Sequence, residues 1–304
     1  MRVLVGTDSG LLAVDDDGTT RVELDAPTRR VRLDGGRDAW ALLADGAVAH
    51  RTGPGRWDVA PTGVDADATA MAPAGGAALV GTRDGRLWRV LDGDPGPLSG
   101  FDAVDGRDTW HAVGSRVPYV RSVAVTADDA AWLASVHVGG IPRSTDAGRS
   151  WRPTVDVDDD VHEVRAHPTD PVVVRAAAAV GLLESSDGGA TWSAPVAGGL
   201  HSSYLRALAF TDGATLVSAS DGPFGHRVAL YRRDDGGGGF ERCREGLPDW
   251  LPAIVDTAQL DARGPAVAAG SGHSVFRSDD AGRSWRRLDV TVAGLGAVAL
   301  DEGP

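Results

Sequence analysis

The 304-residue chain contains no lysine, so all 30 of its basic residues are arginine. Glutamate is scarce too, found only at positions 23, 163, 184, 241, 245 and 302, and aspartate carries most of the acidity. The resulting formal charge of −13 excludes a general affinity for nucleic acid, whose phosphates would be repelled. A single cysteine, Cys243, excludes an internal disulfide framework and fits a reducing compartment. No run approaches the roughly 18 apolar residues that a membrane-spanning helix needs. Met1-Arg2-Val3-Leu4-Val5-Gly6-Thr7 reads as a strand rather than as a charged region followed by an apolar one, so the expected location is cytoplasmic. Nucleophile-elbow, Walker and dinucleotide-binding motifs are all missing, and no cofactor is expected.

What the chain does have is a repeat. Ser144-Thr-Asp146-Ala-Gly148-Arg-Ser150-Trp151 returns as Ser185-Ser-Asp187-Gly-Gly189-Ala-Thr191-Trp192, and again as Ser278-Asp-Asp280-Ala-Gly282-Arg-Ser284-Trp285. Trp151 and Trp192 lie 41 positions apart, and Trp192 and Trp285 lie 93 apart. That second interval leaves room for one more copy, which Arg233-Asp-Asp235-Gly-Gly237-Gly-Gly239-Phe240 supplies in worn form. A fainter copy runs from Val14 to Arg21. The chemistry is that of a hairpin turn: glycine supplies the positive φ, Asp and Ser/Thr bond local amides, and tryptophan leaves the turn to be buried.

These octapeptides resemble the Asp-box, or bacterial neuraminidase repeat. The resemblance implies an all-β, seven-bladed propeller in which each box joins the third and fourth strands of a blade, on the face away from any active site. Ser144, Asp146, Gly148, Trp151, Ser185, Asp187, Gly189, Trp192, Ser278, Asp280, Gly282 and Trp285 are thereby expected to be structural. Four-strand units follow from the alternation of apolar residues, for example Val120–Val125, Ala131–His137, Ile141–Ser144 and Trp151–Val155. Their counterparts downstream include Trp192–Val196 as the outer strand of one blade and Val255–Leu260 as the inner strand of another. Gly294–Leu300 is one inner strand without partners, and residues 1–24 are three strands without an inner member. Pairing them closes the ring and removes exposed edges. The expected organisation is one domain over 1–304, with blades at 1–27 plus 290–304, 28–61, 62–117, 118–154, 155–197, 198–248 and 249–289. Residues 99–117 form a long loop within it.

Ligands of propellers meet the face opposite the boxes. Aligning the inner strands places Arg29, Asp67, Arg121, His162, Arg206, Asp256 and Gly296 at equivalent positions there. His137, His162, His201, His226 and His273 fall in or beside loops of the same face, with His111 in the long loop, His50 in a decayed box and His167 at the opposite end. Tyr119, Tyr204, Phe224 and Trp250 add aromatic groups. Arginines and aromatic rings suit a sugar or a small anion that guanidinium can grip. The candidate ligand-binding set is Arg121, His137, His162, His201, Tyr204, Arg206 and Asp256. The candidate acids and bases are Glu163, Asp221, Asp256 and His162. A metal among His137, His162 and His201 is a weaker alternative.

Several motifs fail on inspection. His162-Glu163-Val-Arg-Ala-His167 is one residue too long for a zinc-protease helix and lies on a strand. Asp156-Val-Asp158-Asp159-Asp160 lacks the glycine and glutamate of a calcium loop and reads as a solvated acidic turn. Arg116-Val-Pro118 is similar to the Arg-Ile-Pro element of sialidases but lies mid-chain, and no Tyr–Glu nucleophile pair accompanies it. Val136–Arg143, residues 160–164 and Ser218–Phe224 resemble a group of prokaryotic Asp-box proteins described as sialidase-like. Two functions stay open. One is a binding or scaffold propeller for a small anionic or carbohydrate-like ligand or a protein segment. The other is a glycoside hydrolase or lyase. The acid-rich, lysine-free composition resembles that of salt-adapted proteins, or reflects a GC-rich genome.

Overall fold

The computed structural model describes residues 1–34, 38–64, 68–91 and 94–303. Seven antiparallel sheets succeed one another along the chain, and the protein is a seven-bladed β-propeller. Among the described residues six sheets have four strands and one has three. The closing blade is assembled as the alternation implied: Ala297–Asp301 pairs with Arg2–Thr7, which continues to Gly10–Val14 and Thr20–Leu24. No helix among the described residues is long and apolar enough to cross a membrane. The chain divides into two compact units. One comprises Met1–Ala44, Ala49–Asp58 and Ala197–Pro304, the other Asp45–Val48 and Val59–Val196.

Each repeated octapeptide folds into the same turn. In the blade of residues 118–154 (blade 4), Ser144 Oγ donates to Asp146 Oδ1 at 2.9 Å and accepts from Gly148 N at 2.9 Å. Asp146 in turn accepts from Ser150 N and Ser150 Oγ, at 2.9 and 2.6 Å. The Ser185–Asp187–Thr191 and Ser278–Asp280–Ser284 turns repeat this network. The glycine is constrained twice over. Gly282 has φ +83°, and a Cβ there would come within 2.5 Å of Leu216 on the preceding blade, so a side chain meets both backbone strain and collision. Trp151 and Trp285 are buried and donate Nε1 to Gly148 O and Gly282 O. Trp192 is half-buried and reaches Thr154 Oγ1 of the preceding blade instead.

Neighbouring blades are also tied through arginine. Arg143, just before the repeat serine Ser144, donates Nε to Gly188 O in the turn of the next blade at 2.8 Å. Arg232 does the same to Ala281 O at 2.9 Å, and Arg277 reaches Met1 O and Asp16 in the closing blade. Between blades 4 and 5, Val164 N donates to Ser122 Oγ, while between blades 6 and 7, Ser218 Oγ donates to Val255 O. The core between these contacts combines branched and aromatic residues. One cluster holds Val120, Val123, Trp132, Phe101 and Trp110, and another holds Leu216, Leu230, Val267, Phe276 and Trp285.

Two strand expectations need correction. Trp192–Val196 is not a strand; only the bridge Leu182–Val196 forms, because Pro195 has no amide to extend the ladder. The inner strand of the blade at 249–289 is Leu260–Arg263 rather than Val255–Leu260. Residues 256–259 turn instead, with Ala258 at φ +67° and Gln259 Oε1 accepting from Asp256 N at 2.8 Å.

Candidate functional site

A β-bulge recurs at the start of the inner strands. In blade 4 the pairing jumps from Val120–Val136 to Ser122–Ser135, so Arg121 is the extra residue. In blade 5 it jumps from Val161–Ala178 to Glu163–Ala177, leaving His162. Blade 2 leaves Arg29 in this way, blade 3 leaves Thr69, and in blade 6 the irregularity spans Arg206. Bulges interrupt the ladder and re-aim a side chain. Four of the aligned positions are therefore a property of the backbone as well as of the sequence. In blade 3 the bulged residue is Thr69, which bonds Val120 O at 2.7 Å; the expected Asp67 lies outside the described residues. Asp256 precedes its strand, in the turn described above.

In the unit containing residues 59–196, His137 and His162 converge on Asp160. His137 Nε2 stands 3.5 Å from Asp160 Oδ1, and His162 Nε2 stands 3.4 Å from Asp160 Oδ2. The His162 side chain is fully buried and that of His137 is 10 % exposed, against 17 % for Asp160. Burial pushes the Asp160 carboxyl up, but His162, His137 and Arg121 outweigh it and hold the group below its ordinary range. The His137 ring tilts on Tyr119, and the Arg121 guanidinium lies over the same tyrosine, 5.8 Å from its centre. The backbone is strained on both sides of the cluster: Val138 has φ +44° and Asp160 φ +46°, and a branched residue is rarely found there. The acidic run 156–160 is thus not a wholly solvated turn. Its last member points inward, a placement that only its spacing two residues before His162 could have suggested.

In the other unit, Arg206 stacks on Tyr204 with its guanidinium 5.3 Å from the ring centre. It contacts Asp256 Oδ1 and Oδ2 through one nitrogen at 3.3 and 3.4 Å, and Pro223 O through another at 3.2 Å. These are long contacts for a charge-assisted pair, and Arg206 Nε has no hydrogen-bond partner among the described residues. Phe224, beside Pro223, is 84 % exposed.

His201 is held more tightly. Tyr231 Oη accepts from His201 N and lies 2.8 Å from Nδ1, while Nε2 lies 3.0 Å from Arg227 O. A carbonyl can only accept, so Nε2 is the donor to Arg227 O. With Asp221 Oδ1 3.5 Å from Nε2 and Trp250 against the ring, His201 is spent on positioning the loops. Arg227 and Arg242 flank Trp250 at 5.6 and 3.9 Å, partners that sequence reasoning did not assign.

The candidate acids and bases fall apart on inspection. Glu163 is completely buried and ion-paired to Arg165 at 3.0 Å. Asp221 is paired with Arg227, whose hydrogen bond holds its carboxyl below the usual range. Asp256 faces Arg206. Among the described residues no three His, Cys, Asp or Glu side chains form a group able to hold a metal. His273 bonds Val292 O, His111 bonds Thr109 O, and His50 lies in the strand Val48–Gly53, stacked on Trp40. Arg116 and Pro118 line an open groove of about 640 Å³ with Trp110 and Asp84, Asp102, Asp105 and Asp108.

No family model and no curated protein matches this sequence. Solved structures do. An ancestral GH74 enzyme superposes with a TM-score of 0.63 at 13 % identity, over 94 % of this chain and 39 % of that one. YCF48 bound to D1 peptide matches with a TM-score of 0.54 at 14 % identity, over 87 % and 84 % of the two chains. The WD40 repeats of RRP9 give 0.62 at 13 % identity, over 90 % and 87 %. The chain spans about two-fifths of the GH74 enzyme's length. At these identities the likeness is one of fold: this is a β-propeller built like those of the GH74, YCF48 and RRP9 proteins.

Proposed function

We propose that the protein is a binding or scaffold propeller of the Asp-box type, whose loops at the end away from the boxes take a carboxylate-bearing ligand. That ligand is a small anionic or carbohydrate-like molecule or a segment of a partner protein. The observation that carries this reading is that every candidate acid or base is already engaged within the chain. A glycosidase needs one carboxyl that keeps its proton and a second that is ionised. Here Asp221 and Asp160 are held in the charged form by Arg227 and by the imidazoles, and Glu163 has no access to solvent.

Recognition groups are better provided than catalytic ones. The side-chain contacts of Arg206 to Asp256 are long, and an incoming carboxylate could take the place of Asp256 on the guanidinium. Tyr204 beneath it and exposed Phe224 beside it offer the flat apolar surface that sugars and extended peptides use. Within the same reading the partner is not nucleic acid, the protein works in the cytoplasm, and its aspartate-rich surface is an adaptation to high salt. The YCF48 match, solved with a bound peptide, supports a protein segment, and the GH74 match supports a carbohydrate.

The test compares turnover with binding. Aryl glycosides and β-glucans should remain uncleaved, while glycan and peptide arrays should show ligands bearing a carboxylate. Arg206→Ala should weaken that binding by at least about tenfold, the loss expected for one charged contact. Hydrolysis that disappears in Asp221→Asn or Asp256→Asn would establish the enzymatic reading in its place.

A further inference from the structure

The His137–Asp160–His162 cluster in the second unit shows what its own cationic groups recognise. Two imidazoles face the two oxygens of one carboxylate at 3.5 and 3.4 Å, and Arg121 adds a nearby positive charge. This is the arrangement a carboxylate ligand would meet, with a protein carboxylate already in the place. The Asp160 side chain is more exposed than either imidazole it engages, so it lies on the solvent side of them.

Two features make that occupancy weak. The two contacts are longer than strong charge-assisted bonds, and Asp160 Oδ1, although buried, has no hydrogen-bond partner among the described residues. Asp160 sits at φ +46°, in a region that costs a non-glycine residue of order 1 kcal/mol or more.

We propose that Asp160 is a resident competitor, an internal carboxylate that fills the His137–His162–Arg121 site until a ligand carboxylate displaces it. The proposal rests on the anionic-ligand reading above and adds its regulation. Displacement would release the short connection 156–160 between blades 4 and 5 and give the ligand carboxylate the place beside His137, His162 and Arg121. Tyr119, under both His137 and Arg121, would stay in place as the floor.

The substitution that tests this is Asp160→Asn. Asparagine keeps the shape, tolerates the left-handed conformation and removes the competing charge. Glucuronate and N-acetylalanine are the probes, carrying a carboxylate on a sugar and on a peptide fragment, with glucose as the uncharged control. If Asp160 fills the site nine-tenths of the time, the asparagine variant should bind the charged probes about tenfold more tightly by calorimetry, with glucose unchanged. The probe that gains more identifies the source of the carboxylate. Unchanged or weaker binding in Asp160→Asn, with wild-type binding intact and sensitive to Arg206→Ala, would overturn the competitor while sparing the proposed function. Absence of binding to either protein would overturn both. In the wild-type protein, saturating probe should also shift the ¹⁵N resonances of His137 and His162, and unmoved resonances would overturn the proposal whatever the variant does.

Discussion

Arg51 and Asp301 form a two-pronged ion pair, Nη1 to Oδ2 at 2.7 Å and Nη2 to Oδ1 at 2.8 Å, with both side chains almost wholly buried. Arg2 joins them, donating Nε to Asp301 Oδ2 at 2.8 Å while its Nη1 pairs with Glu23. Asp301 ends the strand that closes the ring, so its carboxylate ties that strand to Arg2 of the closing blade and to Arg51 of the next.

Removing the carboxylate takes away the counter-charge that the buried Arg2 and Arg51 share. Asp301→Ala should therefore cost about 3–5 kcal/mol, the usual loss when one partner of a buried pair is deleted. Urea unfolding would show it as a lower midpoint at similar slope. A loss under about 0.5 kcal/mol, typical of surface positions, would mean that the pair does not hold the closure.

The aspartates of the repeated turns make stability depend on acid. Asp146, Asp187 and Asp280 are held at about 2. In Asp146 and Asp187 the leading cause is the hydroxyl hydrogen bond from Ser150 or Thr191. In Asp280, burial opposes the shift and the Ser284 bonds prevail. A carboxyl depressed in the folded state stabilises it above the unfolded value near 3.9 and loses that contribution as pH falls through the folded value. The melting temperature should thus decline between about pH 4 and pH 2, and Asp187→Asn should flatten that decline while lowering stability at pH 7. An identical pH profile in the variant would contradict the assignment.

The arginine straps should not accept lysine. Arg143 and Arg232 use Nε, set back from the end of the side chain, to reach a carbonyl in the next blade, and lysine has no donor at that point. Arg143→Lys and Arg232→Lys should each cost about 1–3 kcal/mol for a stranded carbonyl. Full stability of both lysine variants in urea would show the straps to be incidental.

Cys243 should be inert while the protein is folded. Burial pushes its thiol up to about 12, and the thiolate is the reactive form. A thiol reagent at pH 8 should label the native protein far more slowly than the urea-unfolded chain. Rapid labelling of the native state would show that this part of the blade opens.

Part of this protein can be read directly from its residues. Ser144-x-Asp146-x-Gly148-x-Ser150 makes its turn from contacts within four residues, so the motif carries its own geometry. The blade spacing follows from its recurrence, and the partnerless strands at the two ends imply the closure that Ala297–Asp301 and Arg2–Thr7 provide. Placement of Arg121, His162 and Arg206 near the start of their strands was legible from alternation alone.

Where those side chains point was not legible. A slip of one residue reverses the face that a strand presents, and the bulges at Arg121 and His162 are such slips, settled by how each inner strand meets its neighbour. Asp160 reads as one more acid in a polar run until folding brings His137 to it across 23 positions. Glu163 reads as an available base until the tertiary structure buries it against Arg165. Local hydrogen bonds let the sequence determine the repeat and the number of blades. Burial and long-range pairing, which no short segment contains, decided which charged groups remain for a ligand.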